Sequence, residues 1–431
     1  MNSVVENEPH PVRLVVSDDL GRNRLTVFFR LLLAIPHFIW VTLWSIAALV
    51  VVILQWIVTL ISGTPAAGLH GFLCRFARYT VHLNAYLYLV ANPYPGFSGD
   101  EDSYPVDVRL PGPLEQPRWK TLFRIILVLP AAGLSVALSG VGGPSRVPRR
   151  GRSASFSSSG GALTIACAFL GWFASLARGR MPKGLRDAGA YGIGYGVQTL
   201  AYFLLITDRY PNADPTAMLD DVERPPEHPV HLVGDAHDLR RSRLTVFFRL
   251  LLALPHIVWA ALWTIAAIVV AVIVWFATLI AGRPPRALHA FLSRYVRYVL
   301  HVNAFIYLAA NPFPGFDGRE GVYPLDLVLP PPSRQNRWKT GFRIVLAIPA
   351  FMVDSALGWA LFVCAVYTWF VALIRGSAPW GLRNLMAYGL RYAAQLNAYL
   401  FLLTDAYPHA SPLEGAAPPP PPPPVPAYEA Q

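Results

Sequence analysis

Residues 28–37 read FFRLLLAIPH and residues 247–256 read FFRLLLALPH. An arginine sits inside an apolar stretch that continues, uncharged, through Phe38 to Ser62 in the first copy and Ile257 to Ala281 in the second. A helix rises about 1.5 Å per residue, so about 20 apolar residues cross a bilayer core. Both stretches are long enough. Helices buried in soluble proteins rarely run so far without a polar break.

The composition agrees. The chain has 431 residues, of which 54% are hydrophobic and 14% charged. Soluble domains carry about 25% charged residues. Mean hydropathy is +0.40. Net charge is +11, and the basic residues flank the apolar runs. That placement favours anionic lipid over nucleic acid, which is not expected as a partner. The first residues are polar and include Pro11, Asp18 and Asp19, unlike a signal peptide. Cys74, Cys167 and Cys364 lie in apolar segments, read as small buried hydrophobes rather than disulfides or metal ligands.

The opening motif belongs to a larger repeat. RWKT recurs at 118 and 337, and NPYPGF at 92 recurs as NPFPGF at 311, by the same step. The chain is a tandem duplication. Each half divides again, because F-R-x-x-L-x-[IL]-P occurs four times, with Arg30, Arg124, Arg249 and Arg343. Six positions earlier stand Arg24, Arg118, Arg243 and Arg337. Each unit then carries a tryptophan (Trp56, Trp172, Trp275, Trp369) followed by a glycine (Gly63, Gly179, Gly282, Gly376). A second helix-like run follows and ends in a turn: NPYP, TDRYP, NPFP or TDAYP. Each unit opens with a strand-like stretch, HPVRL, YPVDVRL, HPVHL or YPLDL.

These features predict four units at 10–98, 104–213, 228–317 and 323–410. A flexible N-terminus (1–9), a disordered insertion in unit 2 (141–160) and a Pro-rich tail (411–431) complete the chain. The fold class expected is an all-α integral membrane protein. It has about eight transmembrane helices, as four helical hairpins in two tandem halves, with short extramembrane β-strands opening each unit. The insertion leaves the number of crossings in unit 2 open. Gly192 and Gly196 have the G-x-x-x-G spacing of close helix packing. The polyproline run at 418–424 reads as a stiff linker or a ligand for a protein partner.

The units resemble a family of bacterial membrane proteins classed as a domain of unknown function. Its marks are a Y-P-V-x-L opening, an L-L-A-I-P-H junction, an apolar helix and a closing T-D-x-Y-P. All four copies follow that order across roughly residues 10–408, although Asn92 and Asn311 stand in the Asp position of the odd units. The resemblance implies an integral membrane protein and carries no activity.

Two groups of side chains are candidate sites. Arg24, Arg30, Arg118, Arg124, Arg243, Arg249, Arg337 and Arg343 are expected to anchor the units at lipid phosphates, their stems in acyl chain. A buried role in a transport path is the alternative. Arg75, Arg78, His82, Arg294, Arg297, His301 and Arg391 form a polar stripe on the second helices. Three readings stay open for it: a structural stripe, a lipid-phosphate site, or a path for an anion. Only Asp354 interrupts the apolar run of a first helix, too little to balance three arginines. No nucleophile elbow, P-loop or metal-ligand spacing occurs, so neither enzyme chemistry, a cofactor nor a metal is expected.

Lysine and arginine are commoner ahead of the first helices than in the hairpin turns. That bias predicts a multi-pass protein of the cell membrane with cytoplasmic N- and C-termini. The function expected is a non-enzymatic membrane scaffold or accessory protein contacting anionic lipid. A transporter or channel for a small anionic solute is the alternative, its walls the two Arg-Arg-His stripes.

Overall fold

In a computed structural model of the chain, residues 10–140, 162–220, 222–234 and 239–415 are described. The N-terminal segment, the insertion and nearly all of the Pro-rich tail lie outside them.

The described chain is mostly helical. Each unit has a first helix and a second helix. In unit 1 these are α1 (Ile35–Ser62) and α2 (Ala67–Leu87). Unit 2 has α3 (Arg124–Ser139) and α4 (Leu163–Arg178) in place of one first helix, then α5 (Lys183–Phe203). Unit 3 has α6 (Arg249–Ala281) and α7 (Arg286–Ile306). Unit 4 has α8 (Arg343–Arg375) and α9 (Trp380–Leu400). The prolines of the junction motif do not break these helices. Pro36 lies in the first turn of α1, and Pro255 and Pro349 lie inside α6 and α8.

Each first helix packs antiparallel on its own second helix. Trp44 in α1 meets Phe72, Phe76 and Tyr79 early and midway in α2, while Arg30 ahead of α1 reaches Tyr86 near its end. Among the described residues only α1, α6 and α8 are long and apolar enough to cross a membrane. The second helices do not qualify, against the expected eight spans. Their Arg, His and Asn residues lower the hydropathy, and they are covered on two sides. The first helices pack on one side and the opening strands on the other.

Among the described residues five short strands form that cover: β1 (Arg13–Val16), β2 (Val106–Arg109), β3 (Leu219–Asp220), β4 (His231–Gly234) and β5 (Leu325–Val328). β1 pairs antiparallel with β2 and parallel with β3, and β4 pairs antiparallel with β5. Strand pairing therefore joins unit 1 to unit 2 and unit 3 to unit 4. The halves meet through α8, which packs on α3 and α4, and through the edge-to-face pair Tyr191–Tyr388. Units 2 and 4 are central and units 1 and 3 are outermost. The result is three layers: apolar first helices, amphipathic second helices, then strands and linkers.

In unit 2 the chain leaves α3 at Gly140 and returns at Ala162. Gly140 and Ala162 lie side by side, Leu138 and Thr164 flank Gly192 at the middle of α5, and the Thr164 hydroxyl donates to the Leu138 carbonyl (3.1 Å). A Cβ on Gly192 would overlap Thr164, whereas one on Gly196 would meet only ordinary contacts. Close packing thus rests on Gly192 alone.

Candidate functional site

The recurring arginines separate into two sets. The inner set is buried: Arg30, Arg124, Arg249 and Arg343 are 1–3% exposed. Each ties the end of its own unit's second helix. Arg30 donates to the carbonyls of Tyr86 (2.5 Å) and Ala91 (3.0 Å), and Arg249 to those of Phe305 (2.6 Å) and Ala310 (3.2 Å). Arg343 donates to Tyr399 and to Thr404 (3.0 Å), and Arg124 to Thr207 (3.2 Å) and the Gln116 side chain. Each guanidinium also lies over the ring at the helix end, 4.1–4.5 Å from Tyr86, Tyr202, Phe305 or Tyr399. The last carbonyls of a helix have no intrahelical donor and carry partial negative charge. In units 1, 3 and 4 the buried cation satisfies both needs, while Arg124 meets its helix end through the Tyr202 ring. These four side chains are not placed to reach lipid phosphates, which corrects the anchoring expectation for them.

The closing motif supplies the remaining partner. Asp405 pairs with Arg343 at 2.5 Å, and Asn92 and Asn311 take that place beside Arg30 and Arg249 (3.4 and 3.3 Å). In unit 2, Asp208 pairs with Lys120 instead (3.0 Å). The chain then turns through left-handed leucines, Leu89, Leu205, Leu308 and Leu402, with φ of 58–66°. That conformation is disfavoured for a residue with a Cβ. The carbonyls of these leucines accept from Arg22 and Arg241 in the odd units and from Gln116 and Gln335 in the even ones.

The outer set is exposed. Arg24, Arg118, Arg243 and Arg337 each donate to a carbonyl in the last turn of the partner unit's first helix. These bonds are Arg24 to Ala177 (3.1 Å), Arg118 to Ile61 (2.9 Å), Arg243 to Ile374 (2.9 Å) and Arg337 to Ile280 (2.8 Å). The recurring tryptophans repay the contact in the other direction. The Trp56 indole donates to Thr121 and Trp172 to Val27; Trp275 donates to Thr340 and Trp369 to Val246 (2.7–3.1 Å). The recurring glycines end the first helices with φ of +70 to +83°. Their carbonyls accept from the backbone of Arg22, Gln116, Arg241 and Gln335 (2.8–2.9 Å). Units 1 and 2 thus clasp head to tail, and so do units 3 and 4. The opening of one unit sits at the hairpin turn of its partner, as in the bridges Gly21–Arg180 and Arg240–Ser377. Openings and turns therefore do not lie on opposite sides, which removes the basis for the orientation drawn from charge.

The polar stripe divides likewise. Arg75 and Arg294 are exposed. Arg294 borders a groove of about 670 Å³ between α6 and α7, walled by Trp259, Trp263, Phe291 and Phe316. Arg78 and His82 are buried and share Asp107: His82 Nε2 lies 3.2 Å from its Oδ1, and Arg78 Nε is also at 3.2 Å. The copy in unit 3 joins His301 (3.0 Å) and Arg297 (3.2 Å) to Asp326. Glu101 and Glu320 add outer contacts to Arg78 and Arg297 (3.6 and 2.9 Å). Burial pushes the Asp107 carboxyl up. The hydrogen bond with His82 and the N–H groups of Val108 and Asp102 outweigh it and hold it below the usual carboxylate range; Asp326 is held the same way.

Asp107 and Asp326 are partners absent from the expectations drawn from sequence. Their signal was present, as the acid inside the strand-like YPVDV and YPLDL openings of the next unit. In the even units Gln198 and Gln395 take the histidine position and donate to Val12 and Val230 (2.8 and 3.0 Å). Arg391 faces a cavity of about 110 Å³ near Glu414 and donates to the Ser411 carbonyl (2.6 Å). The stripes of units 1 and 3 each close on the opening strand of the following unit and do not face one another. Among the described residues no group of three His, Cys, Asp or Glu side chains is placed to hold a metal.

A family model described as a domain of unknown function (DUF4389) matches the chain four times, over residues 24–98, 154–213, 243–316 and 337–411. No curated protein and no solved structure matches it.

Proposed function

The chain belongs to the family of the domain of unknown function DUF4389, and we propose that it acts as a non-enzymatic membrane scaffold or accessory protein that contacts anionic lipid head groups. The supporting observation is the setting of the outer arginines. Arg24, Arg118, Arg243 and Arg337 are exposed beside apolar side chains that are also exposed, with Leu25 at 67%, Trp119 at 60% and Trp338 at 78%. Basic residues interleaved with Trp and Leu suit the boundary between head groups and acyl chains.

Transport of a small anion has less support. Arg78 and Arg297 are each committed to a carboxylate, and the two stripes lie on the outermost units. The test is flotation of the whole protein with vesicles of phosphatidylcholine alone or mixed with phosphatidylglycerol. Wild type should favour the anionic vesicles, and Arg24→Gln, Arg118→Gln, Arg243→Gln and Arg337→Gln together should abolish that preference. Equal recovery of wild type from both vesicle types would overturn the lipid reading.

A further inference from the structure

The first helices raise a problem if they stand upright in a bilayer. α6 has 33 residues, about 50 Å, against a hydrocarbon core of about 30 Å. Its apolar surface does not stop where the core would. Leu250, Leu254, Leu262, Ile265, Val269 and Ile280 are 51–78% exposed from one end to the other. Crossing would demand a tilt beyond the usual 0–40° range.

The second layer sharpens the problem. Arg78 lies near the middle of α2, and Asp107 reaches it from β2. Beside them Asp100, Glu101 and Asp102 are exposed. In unit 3, Asp317, Arg319 and Glu320 repeat this exposed cluster beside Arg297. The linker that carries them starts at the end of α2 and arrives, at Gln116, on the turn that ends α1. With upright helices this linker would run the depth of the lipid, with carboxylates at mid-bilayer and irregular backbone open to acyl chains. Charge at that depth is costly, and lipid-exposed irregular backbone does not occur there. Both ends of every first helix also carry a unit opening with its outer arginine or a turn that binds one.

We propose that the first helices lie along the membrane plane, sunk in a single leaflet as an apolar raft, with the strands and linkers facing water. Membrane attachment itself rests on the function proposed above; the in-plane orientation is the added claim. An ordinary in-plane helix is amphipathic and supplies its own polar face. Here the second helices and strands supply it, so the outward faces of the first helices are free to be apolar. The outer arginines then mark the margin of the raft, where head groups meet it.

Spin labels on α6 test this. Leu250→Cys, Ile265→Cys and Ile280→Cys are made singly in the full chain carrying Cys74→Ala, with Cys167 and Cys364 left in place because they are buried. Depth in anionic vesicles is read from collisions with oxygen and with a water-soluble nickel chelate. Equal depth at all three positions is the expected result. A V-shaped profile, deepest at Ile265 and shallow at both ends, would overturn the proposal. So would labels shielded from both reagents, which would mean that another protein or a second copy covers the helix. A membrane-impermeant maleimide on sealed vesicles gives an independent reading, with Asp19→Cys and Thr64→Cys at opposite ends of α1. Both should react from one face, and reaction from opposite faces would overturn the in-plane orientation. Failure of the chain to float with any vesicle is a separate outcome that rejects membrane attachment itself.

Discussion

The indole of Trp56 donates to the carbonyl of Thr121 at 2.7 Å, and that bond crosses from one repeat unit to the next. Its counterpart, Trp172 to Val27, crosses back. The recurring tryptophan thus helps join two units into one half. Trp56→Phe keeps the ring and removes the donor, leaving a partly buried carbonyl without its partner. The expected loss is about 1–3 kcal/mol, read as a lower midpoint in a denaturant melt in detergent. A midpoint equal to wild type would show that the clasp does not depend on this bond.

The inner and outer arginines should respond differently. Arg249→Gln takes the guanidinium from the carbonyls of Phe305, which keeps the Leu308 N–H, and Ala310, at a cost of about 1–3 kcal/mol for a carbonyl left unsatisfied. Arg249→Lys should rescue little, because a point charge on a flexible stem does not replace a planar fork of donors. Arg24→Gln loses one exposed contact and should cost under about 1 kcal/mol. Thermal melts of the three variants check the order. If the losses at Arg249 and Arg24 are equal, the helix-end role assigned to Arg249 is wrong.

Asp107 balances two buried partners at once. Asp107→Asn removes the carboxylate that Arg78 and His82 share and leaves Arg78 the more distant Glu101, and breaking a buried pair from one side costs about 3–5 kcal/mol. Asp326→Asn should behave alike in the other half. The carboxyl is depressed in the folded state. Its contribution is therefore present above the unfolded value, about 3.9, and is lost as pH falls through the lower folded value. A melt series from pH 5 to pH 2 on wild type and Asp107→Asn should show acid sensitivity that the variant lacks.

His10 should act at milder pH. Burial pushes its imidazole down to about 4, against the opposing hydrogen bonds to Val12 and Arg209. The unfolded chain, at about 6.5, takes up the proton first. Stability from this group is full above that value and drains away as pH falls toward 4, on the order of 3 kcal/mol in all. His10→Gln should flatten the stability curve between pH 6.5 and 4. An unchanged slope would show that His10 does not set it.

Gly192 and Gly196 offer a paired test. A Cβ at Gly192 would stand 3.0 Å from the Leu138 carbonyl and overlap Thr164, while one at Gly196 would meet Ser139 at 3.5 Å. Gly192→Ala should cost about 1–3 kcal/mol by overpacking, and Gly196→Ala should fall within about 0.5 kcal/mol of wild type. Equal stability of the two variants in the same melts would remove the special place given to Gly192.

The sequence by itself determined what local chemistry determines. Fourfold self-similarity exposed four repeats, apolar run length marked α1 and α6, and alternation marked the opening strands. The recurring Arg, Trp, Gly and Asp or Asn positions were also visible, because repetition exposes them without any knowledge of contacts. Their partners were not. Arg30 lies 56 residues from Tyr86, Trp56 lies 65 from Thr121 and Arg24 lies 153 from Ala177. No periodicity records a pairing at such distance. A hairpin pattern read from hydropathy also assumes that each helix faces lipid, and α2 and α7 instead lie between an apolar helix and a strand. Only the tertiary structure decided that the inner arginines cap helices, that Asp107 and Asp326 balance the polar stripe, and that opening and turn share one end. The physical reason is common to all three. A buried cation or a bare carbonyl takes whichever partner the packing of distant segments brings within about 3 Å.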